Sequence, residues 1–217
     1  MKTDAEIKRD VEEQLKWEPN VSHTDIAVAV KGGVVALAGY APSYADRWGA
    51  EKAAKRVSGV AGMANDIEVR LPGVSQRPDP EIARDAAAAI KAQLPFAPSK
   101  VKAIVSSGWV NLEGEVEWQY QRTAAENAVR WLPGVKGLSD SIRIKPSVAP
   151  IDVKRKIEEA FRRSAAVDAS KVRVEATGDA VILKGAVSSW VERKEAERAA
   201  WAAPGVTSVE NQLAISH

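Results

Sequence analysis

Reactive side chains are scarce in this chain. It has no cysteine and only two histidines, His23 and His217. His23 falls in a predicted loop and His217 at the chain end, so a histidine triad or metal site would rest on His23 alone. Without cysteine there is no thiolate nucleophile, disulfide framework or cysteine-held zinc. Walker, GxGxxG, HExxH and GxSxG patterns are absent from the sequence. Glu113, Glu115 and Glu117 alternate at strand spacing and could share a face around a divalent cation. The plainer reading is a polar strand end running into a loop. No catalytic residue, cofactor or metal site is assigned, and the chain reads as a binding protein rather than an enzyme.

Binding chemistry is better supplied. Seven Trp outnumber three Tyr and two Phe together. Trp109, Trp118 and Trp190 are the rings that could meet a partner, because Trp joins an apolar body to a polar tip. Arg122 and Arg193 lie near two of them and could grip a phosphate headgroup. In Arg47–Glu51, Arg122–Glu126 and Arg193–Glu197 the partners stand four apart, so a structural ion pair on a helix is the simpler expectation. Lys154, Arg155, Lys156, Arg162 and Arg163 crowd one further segment, with Glu158 and Glu159 between them. That cluster could attract anionic lipid, or form a mixed solvated face. With 31 basic and 29 acidic residues the net charge is only +2, which argues against a nucleic-acid binder. At 45% hydrophobic, the chain of 217 residues has enough apolar material for a buried core.

These residues sit in a triple repeat. Gly39, Gly114 and Gly185 each end an apolar run (VVALAG, WVNLEG, AVILKG), at separations of 75 and 71. The pairs Gly59-Val60, Gly134-Val135 and Gly205-Val206 follow at one common offset. Each repeat reads helix, strand, strand, helix, strand. The first helices carry apolar stripes: Ile7/Val11/Leu15, Ile82/Ala86/Ile90/Leu94 and Val153/Ile157/Phe161. Alternating strands flank Gly-containing turns at Gly32-Gly33, Ser107-Gly108 and Gly178-Asp179, as in hairpins. Ser43-x-x-Asp46 and Ser189-x-x-Glu192 look like capping pairs opening the second helix, and the Gly of each Gly-Val pair fits its left-handed stop. A helix between the last two strands is a crossover, so those strands should run parallel. The expected fold is therefore α+β: three tandem α-β-β-α-β two-layer sandwiches, each a three-stranded mixed sheet with two helices on one face. Their limits are residues 2–70, 79–145 and 152–215, joined by short Pro-bearing linkers such as Pro146-Ser147-Val148-Ala149-Pro150.

Alternation also assigns the sheet face away from the helices. In the first repeat it holds Ala27, Ala29, Val34 and Ala36, a small apolar surface where a solvated face should be polar. The expectation is that a neighbouring repeat, a second copy or a partner covers it, with Trp109 as a knob against the alanines.

The repeated glycines, the Gly-Val pairs and the closing strands Asp66–Arg70, Ser141–Lys145 and Gln212–Ile215 resemble the BON domain, named for bacterial OsmY and nodulation proteins. The resemblance covers nearly the whole chain. It implies a non-enzymatic binding module of osmotic and envelope stress, contacting phospholipid headgroups or an envelope-associated partner. The alternative is a protein–protein scaffold or self-associating module without lipid binding. The chain departs from the OsmY-like pattern in having three copies rather than two and no visible export signal. Read as complete it would be cytoplasmic, and as a trimmed mature form periplasmic; no apolar stretch approaches a spanning helix.

Overall fold

Helix α1 (Asp4–Trp17) starts where the Thr3 side chain accepts from the Glu6 backbone N–H and the Glu6 carboxylate reaches back to Thr3, a full capping box. Its Ile7, Val11 and Leu15 are buried, as the stripe requires. The computed structural model describes residues 2–94, 100–147 and 149–216, so His217 and linker residue Val148 lie outside the described residues. Strands β1 (Ile26–Lys31) and β2 (Val34–Ala41) form an antiparallel hairpin, and β2 pairs in parallel with β3 (Gly62–Val69) across helix α2 (Tyr44–Ala54). The second repeat runs α3 (Asp79–Gln93), β4 (Val101–Ser106), β5 (Trp109–Val116), α4 (Gln119–Arg130) and β6 (Gly137–Ile144). The third runs α5 (Val153–Arg163), β7 (Val172–Thr177), β8 (Ala180–Val187), α6 (Trp190–Trp201) and β9 (Ser208–Ile215). Each sheet has three strands in chain order, with its hairpin's second strand in the middle. The expected α+β architecture is the one observed.

Each core lies between one sheet face and its two helices. In the third repeat Ile157 and Phe161 of α5 meet Val174, Val181 and Leu183 of the sheet and Ala196 and Ala200 of α6. Alanines on the second helix let it lie close to the sheet. The first two repeats, apart from residues 117–119 and 144–145, belong to one compact unit, and the third repeat belongs to another.

The repeated glycines do something other than end strands. Strand β2 runs through Gly39 to Ala41, and Gly39 has φ +124°. A Cβ there would stand 1.9 Å from the Asp25 carbonyl oxygen; at Gly114 and Gly185 the corresponding gaps, to Lys100 and Lys171, are 1.8 and 2.0 Å. The chain entering the hairpin presses on this point, so only glycine fits. The Gly-Val pairs also differ from expectation. Helix α2 stops at Ala54, turn bonds from the Arg56, Val57 and Val60 N–H groups follow, and Gly59 (φ +97°) sits inside the last turn, Val57–Val60, rather than ending the helix. The third strand then begins at Gly62, four residues before the expected Asp66.

Asp4, the first residue of α1, accepts hydrogen bonds from the Gly32 and Gly33 N–H groups at 2.8 and 2.9 Å. Asp79 does the same for Ser107 and Gly108 at 2.7 and 2.9 Å. Both turns have positive φ at their two central residues, which aims the two N–H groups at one carboxylate. These bonds hold the Asp4 carboxyl below its ordinary range. In the third repeat Pro150 stands at the matching position, and α5 begins later, at Val153.

The alanine face of the first sheet is open. Ala27, Ala29 and Val34 are exposed, with Val34 at 47%; Ala36 is half-buried, and Ala38, opposite Ala27, is exposed with them. Trp109 does not cover it. Its ring lies over Gly137 of its own sheet, where a Cβ would come within 2.4 Å of the indole, and it remains 53% exposed.

Candidate functional site

The second helix of each repeat carries the arginine and glutamate at four-residue spacing, yet they do not pair as expected. Both turn to the middle of the third strand. In the first repeat Arg47 donates to the Asn65 carbonyl oxygen at 3.1 Å, and the Asn65 amide donates to Glu51 at 3.1 Å. In the third, Arg193 donates to the Asn211 and Leu213 carbonyl oxygens at 2.7 and 3.1 Å, and Asn211 donates to Glu197 at 3.1 Å. Asparagine suits this place because its amide can give a proton to the glutamate while its oxygen accepts from the strand, here from Ile67 and Leu213 N–H.

The second repeat breaks this pattern. Asp140 replaces the asparagine and accepts from both Ile142 N–H, at 2.8 Å, and Arg122. Aspartate faces Glu126 without a donor of its own. Burial, the hydrogen bond to Asp140 and the Asp140 charge push Glu126 up to about 7, against the opposing pull of Arg130 and Arg122. Glu51 is the contrast: burial pushes it up too, but Lys55 and Asn65 hold its carboxyl below the ordinary range. The substitution is visible in the sequence, since residues 65, 140 and 211 keep the 75 and 71 spacing; the expected Arg–Glu pairing drew attention away from their shared third partner.

Arg130 links this cluster to the first repeat. It is 6% exposed, donates to Glu126 and Asn127, and leaves its Nε–H unpaired. Its guanidinium lies 4.2 Å from the Trp48 ring centre, and Trp48 meets Trp131 edge to face at 6.3 Å. Trp48 and Trp131 thus serve packing between repeats one and two.

The remaining candidates lie apart. Trp118 and Trp190 are half-buried, and Arg193 sits 5.2 Å from the Trp190 ring centre. Arg162 and Arg163 are exposed in the last turn of α5. Arg155 of the same helix is held by Asp152 and Glu159, at 3.1 and 2.8 Å. The capping serines behave as expected, but their acids do more. Asp46 accepts from the Ser22 N–H, and Glu192 from the Asp168 and Ser188 N–H groups, tying each second helix to the loop before its hairpin. Glu113 accepts from Asn111, Glu115 stands 3.7 Å from Arg143, and Glu117 accepts from Ser147. Among the described residues no group of His, Cys, Asp or Glu could hold a metal ion, and no helix is long and apolar enough to cross a membrane.

Comparison with known proteins gives this geometry a family. Osmotically-inducible protein Y of Escherichia coli (strain K12) is 32% identical over 148 residues, covering 65% of this chain and 73% of that protein. Two solved structures of CdsD, a structural protein of the type III secretion system of Chlamydia trachomatis, each align over 96% of this chain at 12% identity. Their TM-scores are 0.27 and 0.28, and the alignments cover 91% and 96% of those chains. The BON domain itself matches residues 3–70, 78–146 and 152–216, one match for each α-β-β-α-β repeat. The chain belongs to the BON domain family.

Proposed function

We propose that this chain is a non-enzymatic triple-BON binding protein of the osmotic-stress type. Residues 2–70, 79–145 and 152–215 are its modules, and its ligand is an anionic phospholipid surface. The observation that carries this reading is the pair Arg162 and Arg163, exposed at the end of α5. Trp109, Trp118 and Trp190 are the rings that would sit among headgroups. Arg122 and Arg193 are each engaged by their own third strand, and Arg193 lies 5.2 Å from the Trp190 ring centre. Similarity to an osmotically inducible protein supports the stress role. The test is flotation with vesicles of phosphatidylglycerol and phosphatidylcholine at low and high salt. A basic residue near an anionic surface is worth about 1 kcal/mol, so Arg162→Ala with Arg163→Ala should weaken binding roughly 30-fold. High salt should weaken it further. No association at low salt refutes the lipid reading.

The second reading is a protein scaffold or self-associating module. It is favoured by the open apolar face of Ala27, Ala29, Val34 and Ala38. Salt-insensitive association with a protein, or concentration-dependent dimerisation abolished by Ala29→Glu, would support it over lipid contact.

A further inference from the structure

Two carboxyl groups confront each other in the second repeat, where the other two repeats place a carboxylate against an amide. Glu126 and Asp140 occupy the positions at which the sister repeats make a 3.1 Å hydrogen bond, and two carboxyl groups can make that bond only if one of them is the acid. The sites of Glu51–Asn65 and Glu197–Asn211 need no such proton, because the asparagine amide is the donor. The repeats therefore serve as internal references: the helix, the strand and Arg47, Arg122 or Arg193 recur, whereas the strand residue is Asn65, Asp140 or Asn211 and the residue four after the glutamate is Lys55, Arg130 or Trp201.

Three elements place charged or aromatic groups about Glu126. Strand β6 gives Asp140. Helix α4 gives Arg122, which donates to Asp140, and Arg130, which donates to Glu126 at 3.4 Å. Helix α2 of the first repeat gives Tyr44, which feels the charges of Arg130, Arg47, Glu51 and Glu126, and Trp48, which lies under both Arg130 and Lys52. With the proton present, the cluster holds two guanidinium groups against a single carboxylate charge, and Arg130 keeps its full charge over the Trp48 ring. Once the proton leaves, two carboxylates repel at short range and Glu126 draws Arg130 toward itself. That same arginine shares the contact between repeats one and two with Trp131, which meets Trp48 edge to face.

We infer that the Glu126–Asp140 pair is a proton-operated latch, closed on Trp48 through Arg130 while it holds one proton and loosened when the proton is lost. The pair's position, with Glu126 titrating at about 7, places the transition near neutrality. Repeats one and three have no equivalent latch, since asparagine occupies the strand position in both.

The test is NMR titration of the full chain from pH 5 to 8.5, following the Trp48 indole N–H and the Glu126 side-chain carboxyl carbon. His23→Gln serves as background to remove its imidazole. The expected result is one shared midpoint near 7 for both probes. Asp140→Asn installs the residue that the sister repeats carry, and should move the Glu126 midpoint down by at least one unit, a tenfold loss of proton affinity. Glu126→Gln should leave the Trp48 signal flat. The inference is overturned if the Glu126 carbon shows no titration above pH 5.5, or if Trp48 titrates unchanged in both variants. A Glu126 midpoint near 7 with a flat Trp48 signal equally overturns the latch.

Discussion

Gly185→Ala in β8 should unfold the third BON unit selectively, and its cost can be worked from the geometry. The backbone φ of +125° is one that an L-residue rarely adopts, at about 1–3 kcal/mol. The added Cβ would stand 2.0 Å from the Lys171 carbonyl oxygen, so the chain before β7 must move by about 1 Å or more. That shift breaks at least one hydrogen bond beside the Val172↔Gly185 pair, at about 1–2 kcal/mol. The sum is about 2–5 kcal/mol. A unit of roughly 65 residues is stable by about 3–10 kcal/mol, so a large share of its margin is removed. Gly178→Ala is the control: its φ of +61° carries a backbone cost of about 1–2 kcal/mol, but no atom lies within 4 Å of the new methyl. Hydrogen exchange read by mass spectrometry should show protection of β7, β8 and β9 falling roughly 100-fold or more in Gly185→Ala and far less in Gly178→Ala. Equal exchange in the two variants would refute the reasoning, because the carbonyl contact would then carry no energy.

Other consequences are equally open to measurement. Glu126 has a folded pKa of about 7 against an ordinary 4.5, so the folded protein holds the extra proton between these values. That contribution to stability is complete below about pH 4.5 and lost as pH rises through about 7. The shift sets a ceiling near 3 kcal/mol, reduced to about 1.5 for a cluster partly open to water, and urea unfolding of wild type against Asp140→Asn should show it. Asp79→Ala removes the acceptor of two turn N–H groups and should lower stability by about 1–2 kcal/mol in the same assay. Trp48→Ala strips the ring beneath Arg130 and beside Trp131, at about 2 kcal/mol, whereas Trp17→Ala, at 83% exposure, should leave the unfolding midpoint unchanged.

How far the sequence can be read depended on the range of the interaction. Spacings within one element were legible: the buried stripe Ile7, Val11 and Leu15 and the alternation of β1 both appear as expected. The crossover rule correctly gave β2 and β3 as parallel. Contacts between elements were less visible. Arg47 and Glu51 stand one helical turn apart, but the strand offers stronger partners at Asn65, so local spacing misled. Gly39 looked like a strand end because glycine usually interrupts pairing, whereas here it makes room for the Asp25 carbonyl inside a continuing strand. The alanine face was read correctly as apolar, but the expectation that Trp109 covers it failed because Gly137, on the neighbouring strand, leaves the indole a closer seat. The acid pair was legible only by reading the three repeats against one another.

The aspartate clamps of the first two repeats also decide how each module would respond to being pulled. Tension applied at the start of α1 or α3 passes through Asp4 or Asp79 directly into the hairpin tip, so helix and sheet would bear the load together. In the third repeat Pro150 offers no such tie, and α5 meets the force alone. Stretched from the linker side, that helix should peel from its sheet first, which makes the third module the mechanical weak point of the series.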